Sequence, residues 1–86
     1  MAQAGAILVV DDDPDVLSVA VGVLTARGYE FFEADNGLLA LHTLQENPSI
    51  SLLLTDIVMP GMSGWDLAHR AKQQHPELQV LYMERL

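Results

Sequence analysis

Leu52-Leu53-Leu54-Thr55-Asp56-Ile57-Val58-Met59-Pro60-Gly61-Met62-Ser63-Gly64 is the stretch that decides the fold. An apolar run this short, with turn residues close behind it, has the form of a strand buried on both faces, as in a parallel sheet. Asp56 stands at its carboxyl end. In open α/β sheets that rim gathers ligands and chemistry, because strand ends present backbone and side chains to a shared crevice. A carboxylate in that place is the first candidate functional group.

Upstream, Ala6 to Val10 is a second apolar run, rich in β-branched residues, that stops at Asp11, Asp12 and Asp13. It predicts a first buried strand with its acids on the rim. Asp13-Pro14-Asp15 then starts a helix: Asp13 suits the N-cap, Pro14 the first helical position, and Asp15 the positive end of the dipole. Val16, Leu17, Ala20, Val21, Val23 and Leu24 recur at helical spacing, and Gly28 is a natural stop after Arg27. Tyr29 to Ala34 predicts a shorter strand nearer the sheet edge. Asp35-Asn36-Gly37 is a turn, and Leu38, Leu39, Leu41 and Leu44 carry a second helix that ends before Pro48.

Downstream, Ser63 is a reasonable N-cap for a third helix carrying Trp65, Leu67, Ala68 and Ala71 and running to about Gln74, and Gln79 to Met83 predicts a fourth strand. Trp65 is expected as a partly buried anchor of the third helix, Met59 and Met62 as packing residues, and Gly37 and Gly64 as turn devices. Strands alternating with helices of this length give a βαβαβαβ order, which calls for a parallel sheet with right-handed crossovers.

The 86 residues make one small α/β domain. A formal charge of −8, from 12 acidic against 4 basic residues, argues against a phosphate-backbone surface and favours cations or basic partners. Nucleic-acid binding by this domain is therefore not expected. There is no cysteine, and so no disulfide framework or thiolate metal site. The start lacks the basic region of a signal peptide, and no apolar run approaches the roughly 20 residues of a membrane span. A soluble, cytoplasmic protein is the expectation.

If the first and third strands are neighbours, Asp11, Asp12 and Asp56 converge at one rim. Oxygen ligands of this kind select Mg²⁺ or Mn²⁺ over softer metals, and the remaining coordination positions of such an ion can hold a phosphate. A carboxylate beside it can act as a nucleophile toward phosphorus, with Asp56 the candidate. His42, His69 and His75 show no metal-ligand spacing and read as solvated helix residues.

At this point the sequence resembles a family, the CheY-like receiver domains of two-component response regulators. The matching residues are Leu8-Val9-Val10-Asp11-Asp12-Asp13, Ala34-Asp35-Asn36-Gly37 and Leu54 through Gly64, with Gln79 to Met83 fitting the family's fourth strand. The resemblance covers essentially the whole chain. It implies a flavodoxin-like parallel sheet of order 2-1-3-4. By position it makes Asp56 the phosphoacceptor, Asp12 a direct Mg²⁺ ligand, Asp11 a ligand acting mainly through water, and the backbone carbonyl of Val58 the third metal contact. It also implies a histidine kinase or phosphotransfer protein as phosphodonor in a phosphorelay, and a switch with at most self-phosphorylation and self-dephosphorylation.

Two departures stand beside the match. Glu84 occupies the place of the hydroxyl residue that closes the family's fourth strand, where a carboxylate repels a phosphoryl group. The chain ends at Leu86, so the family's fourth helix, its fifth strand with the phosphate-binding lysine, and its fifth helix are absent, and residues 1–86 read as one receiver-like domain incomplete at its C-terminus. These departures support an alternative, a truncated or degenerate receiver acting as a binding or dimerisation module without phosphotransfer. A metal-dependent phosphohydrolase of the haloacid dehalogenase-like type has only Val9 to Asp13 in its favour, and Asp15 stands where those enzymes usually have Thr or Val. With no fifth strand beside Val80, Leu81, Tyr82 and Met83, the fourth strand is expected on an open edge, as the contact of a homodimer or of an exchange of elements with a second copy.

Overall fold

The computed structural model describes residues 5–83, so Glu84, Arg85 and Leu86 lie outside the described residues. The elements follow one another as β1 (Ala6–Val10), α1 (Pro14–Ala26), β2 (Phe31–Ala34), α2 (Gly37–Glu46), β3 (Ile50–Asp56), α3 (Gly64–Gln74) and β4 (Gln79–Met83). All strand pairs are parallel, in the order β2-β1-β3-β4. That is the 2-1-3-4 order of the flavodoxin-like receiver fold.

Local chemistry sets the element ends. Asp13 caps α1 by accepting from the Asp15 N–H at 2.9 Å, with Pro14 in the first turn. Gly28 takes φ 76° just past the C-cap Arg27, a left-handed conformation that glycine adopts without a Cβ penalty. β2 starts at Phe31 rather than at Tyr29, because the Tyr29 N–H is committed to the Leu24 carbonyl at 3.0 Å and completes the end of α1. Asn36 caps α2 through the Leu39 N–H, and Ser63 caps α3 through the Asp66 N–H.

Two apolar layers hold the sheet. On one face, Ala6, Leu8 and Val10 of β1 pack with Ala40 and Leu44 of α2, Leu53 of β3, and Leu67 and Ala71 of α3. On the other, Ile7 and Val9 meet Leu17 and Leu24 of α1, with Phe31, Leu52, Leu54 and Met83 partly buried against them. Met59 and Met62 pack into the first layer, as expected of them. Leu38 and Leu39 do not carry the core face of α2; they are exposed, because residues 37, 40 and 44 share the face turned to the sheet.

β3 is not buried on both faces throughout. Ser51 is exposed and Leu52 and Leu54 are half-buried. α1 is the one helix among the described residues on that side, and it lies over β1 and β2, leaving Leu81 of β4 56% exposed.

Candidate metal centre

β1 is the strand where the winding of the sheet reverses: α1 leads from it to β2 on one side, and β3 lies on its other side. A crevice opens at such a point, beyond the carboxyl ends of the strands. Val10 pairs in register with Thr55, so the next residues along the two strands, Asp11 and Asp56, meet at the rim. Asp12 follows Asp11. Carboxylate oxygens of Asp11, Asp12 and Asp56 all lie within 4.8 Å of one another. Among the described residues this is the one group of three or more acidic or histidine side chains arranged to hold a metal.

The backbone fixes two of the three side chains. Asp11 is fully buried; its own N–H donates to the Ala34 carbonyl at the end of β2, and its Oδ1 accepts from the Asp13 N–H at 2.9 Å. Asp56 is 5% exposed, and its Oδ1 accepts from the Ile57 N–H at 2.8 Å. Asp12 is exposed to solvent. Val58, whose carbonyl the family resemblance implies as a metal contact, stands in the loop between β3 and α3 with its side chain 80% exposed. His42 and His69 are exposed and His75 is the C-cap of α3, so no histidine joins the cluster.

This donor set fits a small hard cation. It offers oxygen alone, in the number and spacing that Mg²⁺ accepts while keeping waters. Three carboxylates this close repel one another, and two are withdrawn from water, so a cation between them offsets both penalties.

The loop that follows is closed by α3. The Gly64 N–H donates to the Ile57 carbonyl at 2.7 Å, and the Gly64 Cα lies against the Asp56 carbonyl. A Cβ at position 64 would overlap the Asp56 oxygen and sit 3.0 Å from both the Asp56 carbonyl carbon and the Ile57 Cα. Gly64 is thus a close-approach residue at the start of a helix and not a turn device. Trp65 beside it is 57% exposed and packs its ring against Tyr82 of β4, centroids 4.4 Å apart and planes tilted by 49°, so it anchors α3 to the edge strand more from the surface than from the core.

The sequence profile of the response regulator receiver domain matches residues 7–84. The chain belongs to that family. It is 46% identical over 77 residues to the response regulator receiver protein CpdR of Brucella abortus strain 2308, a match covering 90% of this chain and 63% of CpdR. Among solved structures it is similar to the receiver domain from hybrid histidine kinase CckA, with 42% identity, a TM-score of 0.85, and coverage of 91% of this chain and 73% of that one. It is also similar to a chain in the crystal structure of histidine kinase ThkA in complex with response regulator protein TrrA, with 32% identity, a TM-score of 0.83, and coverage of 91% and 66%. The chain spans less than two thirds of the length of CpdR.

In this receiver domain the sequence located the three carboxylates and missed two residues that pack on the Asp56 carbonyl. Gly64 was visible only as a loop glycine. Thr55 was visible as a lone hydroxyl in an apolar strand; it is fully buried and donates to the Asp56 carbonyl at 2.9 Å.

Proposed function

We propose that this receiver domain accepts a phosphoryl group on Asp56, with Mg²⁺ or Mn²⁺ held by Asp11, Asp12, Asp56 and the Val58 backbone carbonyl. The convergence of three carboxylates at the rim of β1 and β3 is the observation that carries the reading. The Ile57 N–H holds Asp56 Oδ1, and in this reading the other carboxylate oxygen attacks phosphorus. That oxygen forms the new P–O bond, and the donor's P–N bond to histidine, or P–O bond to a small acyl phosphate, breaks with its electron pair leaving on the donor. A bound divalent cation neutralises charge on the transferring phosphoryl oxygens. Asp11, whose Oδ1 accepts from the Asp13 N–H, would hold that cation from the neighbouring strand β1.

The phosphodonor in this reading is a histidine kinase or phosphotransfer protein, supported by the similarity to the ThkA and TrrA complex. Residues 1–86 act as one receiver-like unit in a cytoplasmic phosphorelay; no helix among the described residues is long and apolar enough to cross a membrane. A binding module without phosphotransfer is not favoured, since the three carboxylates that the reaction needs stand together. Self-association of the 86-residue chain is part of the proposal. β4 pairs with β3 along one side among the described residues and exposes Leu81, and an apolar edge strand templates pairing with a second copy.

The test is incubation with acetyl phosphate and Mg²⁺, read by intact mass and peptide mapping. One phosphoryl group on Asp56, absent from Asp56→Asn, is the expected result. No adduct on the wild type, or an equal adduct on Asp56→Asn, would overturn the assignment.

A further inference from the structure

We propose that Thr55 is a positioning residue for Asp56, acting through the Asp56–Ile57 peptide unit. The inference rests on the reading of Asp56 as the reactive carboxylate and adds a residue to it.

One rigid plane links the Thr55 hydroxyl to the Asp56 carboxylate. The Asp56 carbonyl and the Ile57 N–H belong to the same peptide unit, and a trans peptide moves as a plane. At one end of that plane the Thr55 hydroxyl donates to the Asp56 carbonyl oxygen at 2.9 Å. At the other end the Ile57 N–H donates to Asp56 Oδ1 at 2.8 Å. Fixing the carbonyl therefore fixes the direction of the N–H, and the N–H fixes the carboxylate. Gly64 lies against the same carbonyl, and the Gly64 N–H holds the carbonyl of the following peptide unit, Ile57–Val58, so the chain is also fixed just beyond that plane, where the strand gives way to the loop.

The choice of residue supports the role. Thr55 is fully buried on the apolar side of the sheet that holds Leu53, where valine has nearly the same shape and no hydroxyl to desolvate. A buried hydroxyl costs free energy unless bonded, and here its donor is directed at the Asp56 carbonyl. A carboxylate held in one orientation binds a cation and meets a phosphoryl donor without first losing rotamer freedom.

The test compares Thr55→Val, which keeps shape and removes the hydroxyl, with Thr55→Ser, which keeps the hydroxyl. Each is measured by Mg²⁺ titration, by the rate of adduct formation with acetyl phosphate, and by thermal melting. Loss of one orienting hydrogen bond predicts Mg²⁺ affinity and adduct rate lower by about 3- to 10-fold in Thr55→Val. Thr55→Ser restores both, and all three chains melt cooperatively. Thr55→Val matching the wild type in both readouts overturns the proposal, and so does an equal loss in Thr55→Val and Thr55→Ser. A Thr55→Val chain that no longer folds also counts against it, because the hydroxyl would then serve stability and not position. If the wild type forms no adduct, the reading of Asp56 fails; Mg²⁺ affinity, compared across the same variants, still decides whether Thr55 sets the carboxylate.

Discussion

Gly64→Ala places a methyl group against the peptide that carries Asp56, and the structure sets the size of the effect. The new Cβ would overlap the Asp56 carbonyl oxygen and lie 3.0 Å from the Asp56 carbonyl carbon and the Ile57 Cα, all backbone atoms with no side-chain freedom to yield. Either α3 backs away from the sheet or the Asp56 peptide moves. Overpacking of this kind costs about 1 to 3 kcal/mol. Alanine's better helix propensity returns at most ~1 kcal/mol, and less at the first helical residue than in the interior. A net loss of roughly 1 to 2 kcal/mol corresponds to a fall in Tm of about 5 to 15 °C for a domain this small. Gly22→Ala is the internal control: it lies inside α1 with nothing within 4 Å of an added Cβ, so the propensity gain stands alone, roughly 0.5 to 1 kcal/mol, and Tm rises. Paired thermal melts by circular dichroism measure both. Because the displaced peptide holds Asp56 Oδ1 through the Ile57 N–H, Mg²⁺ affinity in Gly64→Ala falls more than an equal loss of stability elsewhere would produce. A Gly64→Ala chain as stable as the wild type, with unchanged Mg²⁺ binding, would refute the close-approach argument.

The carboxylate cluster predicts weak, saturable Mg²⁺ or Mn²⁺ binding that Asp12→Ala or Asp56→Asn reduces strongly; identical isotherms for wild type and variants in calorimetric titration would dismiss the site. Glu84 adds a like charge to the fourth-strand end in the sequence, so the phospho-adduct is expected to form slowly or to be short-lived, and Glu84→Ser should raise its yield in the same mass assay. A full, stable adduct on the wild-type chain would show the charge to be without effect. For self-association, light scattering across a dilution series should show a mass that falls with concentration, and Leu81→Lys should shift the equilibrium toward monomer or unfolded chain. A cooperative monomer at every concentration would remove β4 from any role as a contact.

The local chemistry of this chain is written in its sequence. Asp13 with Pro14, and Ser63, announce two helix starts by capping, an effect of neighbouring residues alone, and both stand where they were expected, while Asn36, read as part of a turn, caps α2. The acids at Asp11, Asp12 and Asp56 were legible because a charge that interrupts an apolar strand must lie at its end. Their meeting required one further fact, that β1 and β3 are neighbours, which the βαβ pattern and the family resemblance supplied together. What lay beyond the sequence were the facts set by approach across the fold. Whether both faces of β3 are covered depends on where α1 sits over the sheet, which periodicity does not encode. That Gly64 is required by the Asp56 carbonyl, and not by a turn, depends on how closely α3 docks. The same holds for Thr55: one hydroxyl in an apolar run reads as a strand residue, and only its distance to the Asp56 carbonyl shows which peptide it holds. Capping and patterning act over a few residues and survive in one dimension; close packing is a property of surfaces brought together, and only the tertiary structure decides it.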